Sequence, residues 1–445
     1  MTALSGHEPQ IKISIPAAAS RLLGALRRAG FEAYVVGGCV RDSLLGRTPG
    51  DWDICTSARP EQVRTVFSAY RQILTGEKHG TVAVIVGGTP YEITTYRVDG
   101  QYHDSRHPDA VQFVPQVQPD LARRDFTINA MAYNEAEGLV DPFGGQKDLQ
   151  NGLLRAVGEP QQRFTEDALR ILRLYRFAAR FGFALDAATA RAARQLAPHL
   201  DCISAERIQE ELAKLLTAPQ PGAYLEPAVL AVVLPELTPA ALDAAKPVVD
   251  ACPAGEKNLP VRWAALLHDV GKPPCFSLGP DGVGHFYGHA AKSTELAEGI
   301  LTRLRFDTAG RTRIMQLIRY HDLPIAPEAK PIRRLMNKLG VETVRQLFEL
   351  HIADTCGQSA ICAGRVETYR QAERVLDELL AADACFSLKD LAVNGDDLLA
   401  LGLRGRAVGA ALQACLDAVM DETLPNDRAA LLGYAAENLQ RFANS

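Results

Sequence analysis

Apolar and polar positions follow two rhythms along the chain, and the change falls near residue 150. From about residue 160 onward, alanine- and leucine-rich segments repeat every ~3.6 residues and predict helices almost throughout. Before that point, short β-rich runs alternate with short helical patterns. Residues 20–30 (SRLLGALRRAG) predict an amphipathic helix closed by Gly30. FEAYVVGG, at 31–38, predicts a strand running into a glycine turn, and CVRDSLLG, at 39–46, a helix that starts from the turn. DWDICTS, at 51–57, predicts a second strand, and RPEQVRTVFSAY, at 59–70, a second helix. TVAVIVGGTPYEITTYRV, at 81–98, predicts a β-hairpin around Gly87-Gly88-Thr89-Pro90. The turn-rich stretch 97–115 predicts a flexible loop leading into a last strand, and RRDFTINAMAYN, at 123–134, the opening of another helix. Proline-rich connections near 217–227, 234–239 and 323–331 subdivide the helical part.

A chain of 445 residues exceeds what one core serves, so two to four domains are expected. The 47% hydrophobic and 23% charged residues describe an ordinary soluble globular protein, with no apolar run of membrane-spanning length. The opening MTALSGHEPQIKIS lacks the basic-then-apolar pattern of a secretory signal. Nine scattered cysteines form no C-x-x-C; they read as reduced cytoplasmic thiols, not as a disulfide framework or a zinc knot. A net charge of −5 argues against general stickiness for nucleic acid, yet phosphate contacts need only local cations. These exist. Residues 155–180 carry six arginines (155, 163, 170, 173, 176 and 180) against Glu159, Glu166 and Asp167.

The chemistry starts at Asp51 and Asp53. On a strand, residues i and i+2 share a face, so the two carboxylates converge while Trp52 and Ile54 point to the core. Converging acids suit a hard cation such as Mg²⁺, which takes one or two carboxylates plus substrate phosphates. Glu92, on the hairpin strand opposite Ile93, is the candidate third acid. The Gly37-Gly38 turn offers backbone N–H groups and a helix N-terminus to phosphates, with Arg41 one turn in. Taken alone, D-x-D also fits a solvated strand end. Following G-G-x-V-R-D in an α/β setting, it reads as a metal site.

V-G-G-C-V-R-D-S-L-L-G, D-W-D-I-C-T, R-R-D-F-T-I-N-A-M-A and R-F-T-E-D-A-L-R-I-L-R-L-Y-R-F-A-A-R-F-G-F resemble, in this order, the motifs of class II tRNA nucleotidyltransferases. That family belongs to the polymerase-β-like nucleotidyltransferases, and bacterial poly(A) polymerases share its motifs. The resemblance is dense over residues 30–185 and weaker beyond. It implies an α+β fold: a polymerase-β-like head with a mixed sheet and helices, then an all-helical neck, an HD-containing body and a tail. The implied division is 12–150 catalytic head, 151–225 neck with the base-recognising helix, 226–380 body, and 381–445 tail meeting tRNA. The implied reaction is template-independent, Mg²⁺-dependent addition of C, C and A to tRNA 3′ ends from CTP and ATP.

Asp167 and Arg170 are i, i+3 neighbours on a predicted helix that starts from Thr165 as N-cap and ends near Gly182. A carboxylate accepts from the exocyclic amine of cytosine or adenine, and a guanidinium donates to the ring acceptor beside it. Uracil and guanine present the reverse pattern. The resemblance gives this base-reading role to the pair; the plain alternative is an intrahelical salt bridge worth ~0.3–0.5 kcal/mol. By the same resemblance, Arg124, Asp125 and Asn129 contact the ribose hydroxyls, and Arg173 and Arg176 face the triphosphate unless they only cover the neck. R-V-D-G-Q-Y-H-D-S-R-H-P-D, at 97–109, matches a loop of enzymes that complete C-C-A or add only A.

L-L-H-D-V-G-K, at 266–272, resembles an HD phosphohydrolase core, and His268, Asp269, His289, His321 and Asp354 follow in the order that fold uses. The earlier ligand histidine usual in that pattern is missing, since no histidine lies between 200 and 267. The region therefore reads as a second divalent-metal site or as a helical domain that only cradles tRNA. The expected protein is a cytoplasmic CCA-adding enzyme with no membrane contact and no obligatory protein partner. A poly(A) polymerase is the nearest rival; the tail's nine acids against five basic residues speak against it. An HD phosphohydrolase with a non-catalytic head is a rival of another class, opposed by the intact Asp51 and Asp53.

Overall fold

The computed structural model describes residues 12–100, 111–357 and 363–443. Its contacts form two compact units: residues up to 215 with 226–235, and residues 216–225 with 236 onward.

The first unit opens with α1 (Ala17–Arg28), whose Leu22, Leu23 and Leu26 are buried and whose last turn carries Arg27 and Arg28. Strand β1 (Ala33–Val36) is followed by α2 (Gly38–Leu44), β2 (Ile54–Thr56), α3 (Pro60–Val66), β3 (Arg71–Ile73), β4 (Thr81–Val86) and β5 (Thr89–Thr95). Then come β6 (Arg97–Asp99), β7 (Val111–Phe113), α4 (Val117–Ala122), β8 (Ala132–Asn134), β9 (Gly138–Val140) and α5 (Gly145–Gln150). Seven strands form one mixed sheet in the order β3-β4-β5-β2-β1-β8-β9, while β6 and β7 pair separately. The only parallel pair in the large sheet is β2 with β5, in the register Ile54 opposite Ile93. Asp53 and Glu92 therefore precede equivalent positions on neighbouring strands.

Two expectations are corrected here. Asp51 and Asp53 are not in a strand, because β2 begins at Ile54. Val36 N–H still donates to Asp53 O at 3.0 Å, but at Gly37 the chain turns with φ 76° and leaves Trp52 and Asp51 no ladder partner. Nor does 123–134 open a helix. One 3₁₀ turn at Thr127–Asn129 leads straight into β8, where Tyr133 pairs with Val35. The ladder on β1 outweighs the weak helical preference of this β-branched, aromatic stretch. The hairpin of β4 and β5 is as expected. Of the 97–115 loop, 101–110 lie outside the described residues, and its two ends are the paired β6 and β7.

Five helices complete the unit: α6 (Pro160–Glu166), α7 (Leu169–Phe181), α8 (Ala187–Leu196), α9 (Ala205–Leu216) and α10 (Pro227–Val233). Thr165 sits inside α6 and bonds Gln161 O at 2.8 Å, so it is not the N-cap that the sequence predicts. Gly182, left-handed at φ 71°, ends α7 as expected. The Phe177 ring meets Phe126 edge-on at 5.9 Å, which fixes α7 to the turn before β8.

The second unit is helical: α11 (Pro239–Ala251), α12 (Leu259–Leu267), α13 (His289–Arg303), α14 (Thr308–Tyr320), α15 (Ala329–Leu339), α16 (Val341–Gly357), α17 (Ala363–Ala381), α18 (Gly395–Ala400), α19 (Arg406–Met420), α20 (Arg428–Glu437) and α21 (Leu439–Ala443). Among the described residues, no helix is long and apolar enough to cross a membrane. Arg262, fully buried on α12, has no carboxylate partner; instead its guanidinium donates to Pro253 O at 2.9 Å, Leu216 O at 2.5 Å, Cys252 O at 2.8 Å, Pro219 O at 3.2 Å and also Ala218 O. It thus satisfies carbonyls on two segments, those of the buried Leu216, Ala218 and Cys252 among them. Arg262→Met is expected to lower the unit's stability by roughly 3 kcal/mol or more, each orphaned carbonyl costing ~1–3 kcal/mol. An unchanged urea midpoint would mean that the clamp contributes nothing.

Candidate active site

A cleft of about 590 Å³ opens in the first unit beside the Gly37-Gly38 turn, with Asp51 and Asp53 on one wall and α7 on another. Gly37 is required by its backbone, and Arg124 fills the space beside it. Its φ is 76°, and a Cβ there would come within 2.8 Å of Arg124 Nη1. The turn therefore brings backbone, cation and carboxylates close together.

Burial, then the charges of Asp51 and Glu92, push the Asp53 carboxyl up to about 6 against the opposing pull of Arg124. Glu92 is exposed and does not line the cleft, yet its charge reaches Asp53. A half-buried carboxylate crowded by two others is the electrostatic signature of a place for a cation. This donor set fits a divalent ion that completes its shell with substrate oxygens.

Arg41 is buried and fully engaged. Its Nε donates to Asp42 at 2.8 Å and its Nη1 to Asn129 Oδ1 at 2.6 Å, while the guanidinium lies over Phe181 at 4.9 Å. Asn129 in turn donates to Asp125 Oδ1 at 3.0 Å, and Arg173 reaches Asp125 Oδ2 with Nε at 2.9 Å and Nη2 at 2.6 Å. Burial would raise the Asp125 carboxyl, but Arg173 and Asn129 outweigh it and hold it at about 2. Arg124 bonds Asp120 at 3.4 Å, and Arg176 pairs with Glu211 at 3.0 Å beneath the Phe177 ring. Burial lowers the Arg176 guanidinium to about 10, although Glu211 pulls it upward.

Asp167 and Arg170 both line the cleft, but not as the sequence predicts. Asp167 is extended (φ −143°, ψ 104°) at the break between α6 and α7, so the two residues do not share a helix face. Nor do they pair with each other. Asp167 Oδ1 accepts from Leu169 N–H at 3.0 Å and Oδ2 from Arg207 at 2.9 Å. Arg170 donates to Glu166 at 2.7 Å and to the carbonyls of Arg163 and Arg123 at 3.2 and 3.0 Å. At the break the Asp167 side chain takes a local backbone donor, the Leu169 N–H, and also reaches across the fold to Arg207 on α9.

A second cluster lies in the other unit, on helix ends. Asp269, His289 and His321 bring one ligand atom each within 4.8 Å of one another, the only such group of three among the described residues. His289 Nε2 is 3.2 Å from His321 Nε2 and 3.5 Å from Asp269 Oδ1. Each of these histidines points Nδ1 at a carbonyl, Phe286 O at 3.0 Å and Ile318 O at 2.7 Å, which turns Nε2 toward the centre. His268 Nε2 lies 3.2 Å from Asp269 and 3.4 Å from Asp354. Burial would lower the His268 imidazole, but those two acids raise it to about 10. All five residues singled out by sequence meet here, with Lys272 on Asp269 at 2.6 Å as an addition.

Residues 33–155 match the family of the Poly A polymerase head domain, 182–241 the RNA and SrmB binding site of polymerase A, 254–354 the HD domain and 329–435 the tRNA nucleotidyltransferase domain 2. The CCA-adding enzyme of Leuconostoc mesenteroides is 33% identical over 423 residues, covering 94% of this chain and 96% of that protein. That of Lacticaseibacillus paracasei is 35% identical, covering 97% and 98%. The chain belongs to the CCA-adding enzymes. Among solved structures, the CCA-adding enzyme of Bacillus stearothermophilus in complex with CTP is 32% identical with a TM-score of 0.73, covering 96% of this chain and 98% of that one. The Thermotoga maritima CCA-adding enzyme complexed with tRNA, at 20% identity and a TM-score of 0.61, shares the fold.

For a CCA-adding enzyme, the cleft also holds residues that no motif pointed to: Arg123, Arg180, Arg207, Asp42 and Phe177. Arg123 and Arg180 stand inside motifs that were read for their neighbours. Arg207 had no signal, because its link to Asp167 spans 40 residues.

The Asp53 carboxyl sits at about 6 against an ordinary 3.8, so the folded state holds the proton more tightly. Folding stability therefore falls as pH rises through that window, and the penalty is fully present above it. Asp53→Asn is expected to raise the melting midpoint at pH 8 and to change it little at pH 4. An equal shift at both values would show that the carboxylate charge is not the cause.

Proposed function

We propose how the cleft divides the work of C-C-A addition to tRNA, a reaction that draws on CTP and ATP and releases pyrophosphate. Residues 12–150 form the catalytic head, 151–225 the neck, 226–380 the HD-bearing body and 381–445 the tail that meets tRNA. The 3′ oxygen of the tRNA bonds to the α-phosphorus of the nucleotide, the bond from that phosphorus to the α–β bridging oxygen breaks, and pyrophosphate leaves. Asp51 and Asp53 hold Mg²⁺, with Glu92 adding charge from β5. A divalent ion bound there supplies Lewis-acid stabilisation of the charge developing on the phosphoryl oxygens. The Gly38 backbone and Arg41 receive phosphate at the start of α2, the Gly37 N–H being taken by Met131 O at 3.0 Å, and Arg173 and Arg176 add positive charge on the facing wall. Arg124, Asp125 and Asn129 place the ribose. Asp167 and Arg170 read the base, each held by other partners so that neither neutralises the other. The free thiols of the described cysteines suit a reducing compartment, and we place the reaction in the cytoplasm.

The observation that carries this reading is the crowding of Asp53 by Asp51 and Glu92 in a cleft whose other wall is arginine. The test is a product assay on tRNA lacking its end, with CTP and ATP. Three added nucleotides are expected; an open-ended A tract would make the chain a poly(A) polymerase. Asp51→Ala and Asp53→Ala are each expected to abolish addition while tRNA binding stays within a few-fold, because affinity rests on basic groups elsewhere. Wild-type turnover in either variant would remove these acids from the chemistry.

A second reading concerns the helical unit, where Asp269, His289 and His321 form a preorganised facial set. We infer that it binds a divalent transition metal, with His268 and Asp354 beside it. Titration calorimetry with Mn²⁺ on the whole chain is expected to lose one site on His289→Ala with His321→Ala, with C-C-A synthesis retained. Full Mn²⁺ stoichiometry in that double variant would show that the cluster is structural.

A further inference from the structure

The base-reading carboxylate is held at both oxygens by groups of different origin. Leu169 N–H fixes Oδ1 at 3.0 Å from the start of α7, and Arg207 Nη2 fixes Oδ2 at 2.9 Å from α9. With the first contact alone, the carboxylate plane can still turn. The second contact stops it.

The Asp167–Arg207 pair does not explain itself as a stabilising device. The two side chains are 17% and 23% exposed, and such a pair contributes little once the cost of ordering a long arginine is met. Arg207 Nη1 is buried without a hydrogen-bond partner among the described residues, so the guanidinium is not seated by a wider network on that side. It stands in the cleft wall all the same.

We propose that Arg207 is a positioning residue for nucleotide choice: by holding Asp167 Oδ2 it keeps the carboxylate aimed at an exocyclic amine and unable to turn toward guanine. The inference rests on the base-reading role given to Asp167 above. Guanine carries two adjacent donors, N1–H and the N2 amine, which match the two oxygens of a carboxylate in a bidentate contact stronger than the single bond offered by cytosine or adenine. A carboxylate free to rotate would therefore favour the wrong purine. Uracil, with one ring N–H, gains less.

The experiment measures kcat/KM for all four nucleotides on tRNA ending before its first added C, for Arg207→Ala, Arg207→Lys, Asp167→Ala and the Asp167→Ala/Arg207→Ala pair. Arg207→Ala is expected to lower the CTP:GTP preference at least tenfold and the CTP:UTP preference by less. Lysine, which keeps a cation but not the planar fork, is expected to fall between wild type and alanine. The double variant should match Asp167→Ala, because Arg207 acts through that carboxylate. Equal slowing of all four nucleotides by Arg207→Ala and Arg207→Lys, or losses that multiply in the double variant, would overturn the proposal. If Asp167→Ala relaxes discrimination and neither Arg207 variant does, this inference alone falls. If Asp167→Ala leaves discrimination intact, the base-reading assignment falls and takes the inference with it.

Discussion

The catalytic unit depends on one turn. At Gly37 the backbone adopts φ 76°, which ends the pairing of β1 with β2 and opens the space that Arg124 enters. Because β1 leaves the ladder there, Asp51 and Asp53 project from an extended lead-in toward solvent-accessible space and are not locked into the sheet. Any side chain at 37 would have to adopt a backbone conformation unsuited to L residues and would displace the Arg124 guanidinium. The start of α2, the two acids and the Arg124 cation beside them are thus brought together at this turn.

Helix α7 is the second organising element, and it works through contacts of three kinds. Phe177 packs on Phe126, Arg173 pairs with Asp125, and Arg170 donates to the Arg123 carbonyl. Each joins the helix to residues 123–126, so α7 is tied to that turn at three points. The arginines of this helix are therefore neither a loose cationic brush nor simple surface cover. They are anchored by carboxylates and aromatic faces, Arg176 being held both by Glu211 and over the Phe177 ring at 4.1 Å. Their positive charge is thus already held in place and partly desolvated by the fold.

The helical unit uses a different logic. Its histidines gather at helix ends, where a backbone carbonyl three residues earlier takes Nδ1 and leaves Nε2 to converge. His268 does the same with Ala265 O at 2.9 Å, and its Nε2 lies between Asp269 and Asp354, which favour its protonated form. This arrangement needs no ladder, but it does need glycine: Gly288, left-handed at φ 76°, starts the helix of His289, and a Cβ at Gly271 would come within 2.7 Å of the His289 carbonyl.

The sequence by itself determined the change from strands to helices near 150, though the two compact units divide further on, near 215; it also determined the β4–β5 hairpin, the Gly37 turn and the Gly182 helix stop, because these rest on local periodicity and on residues with restricted or permissive backbones. It also named the acids, the arginines and the histidine cluster, since their residue types carry the chemistry wherever they are placed. Tertiary structure decided the rest. Whether 123–134 became helix or strand was settled by the ladder on β1, 100 residues away for the Val35–Tyr133 class of contact, which no local propensity encodes. Whether Asp167 and Arg170 would neutralise each other was settled by Arg207 and Glu166, which take one partner each. Spacing can say which side chains are near along a helix. It cannot say where the helix breaks once a side chain finds a better bond across the fold.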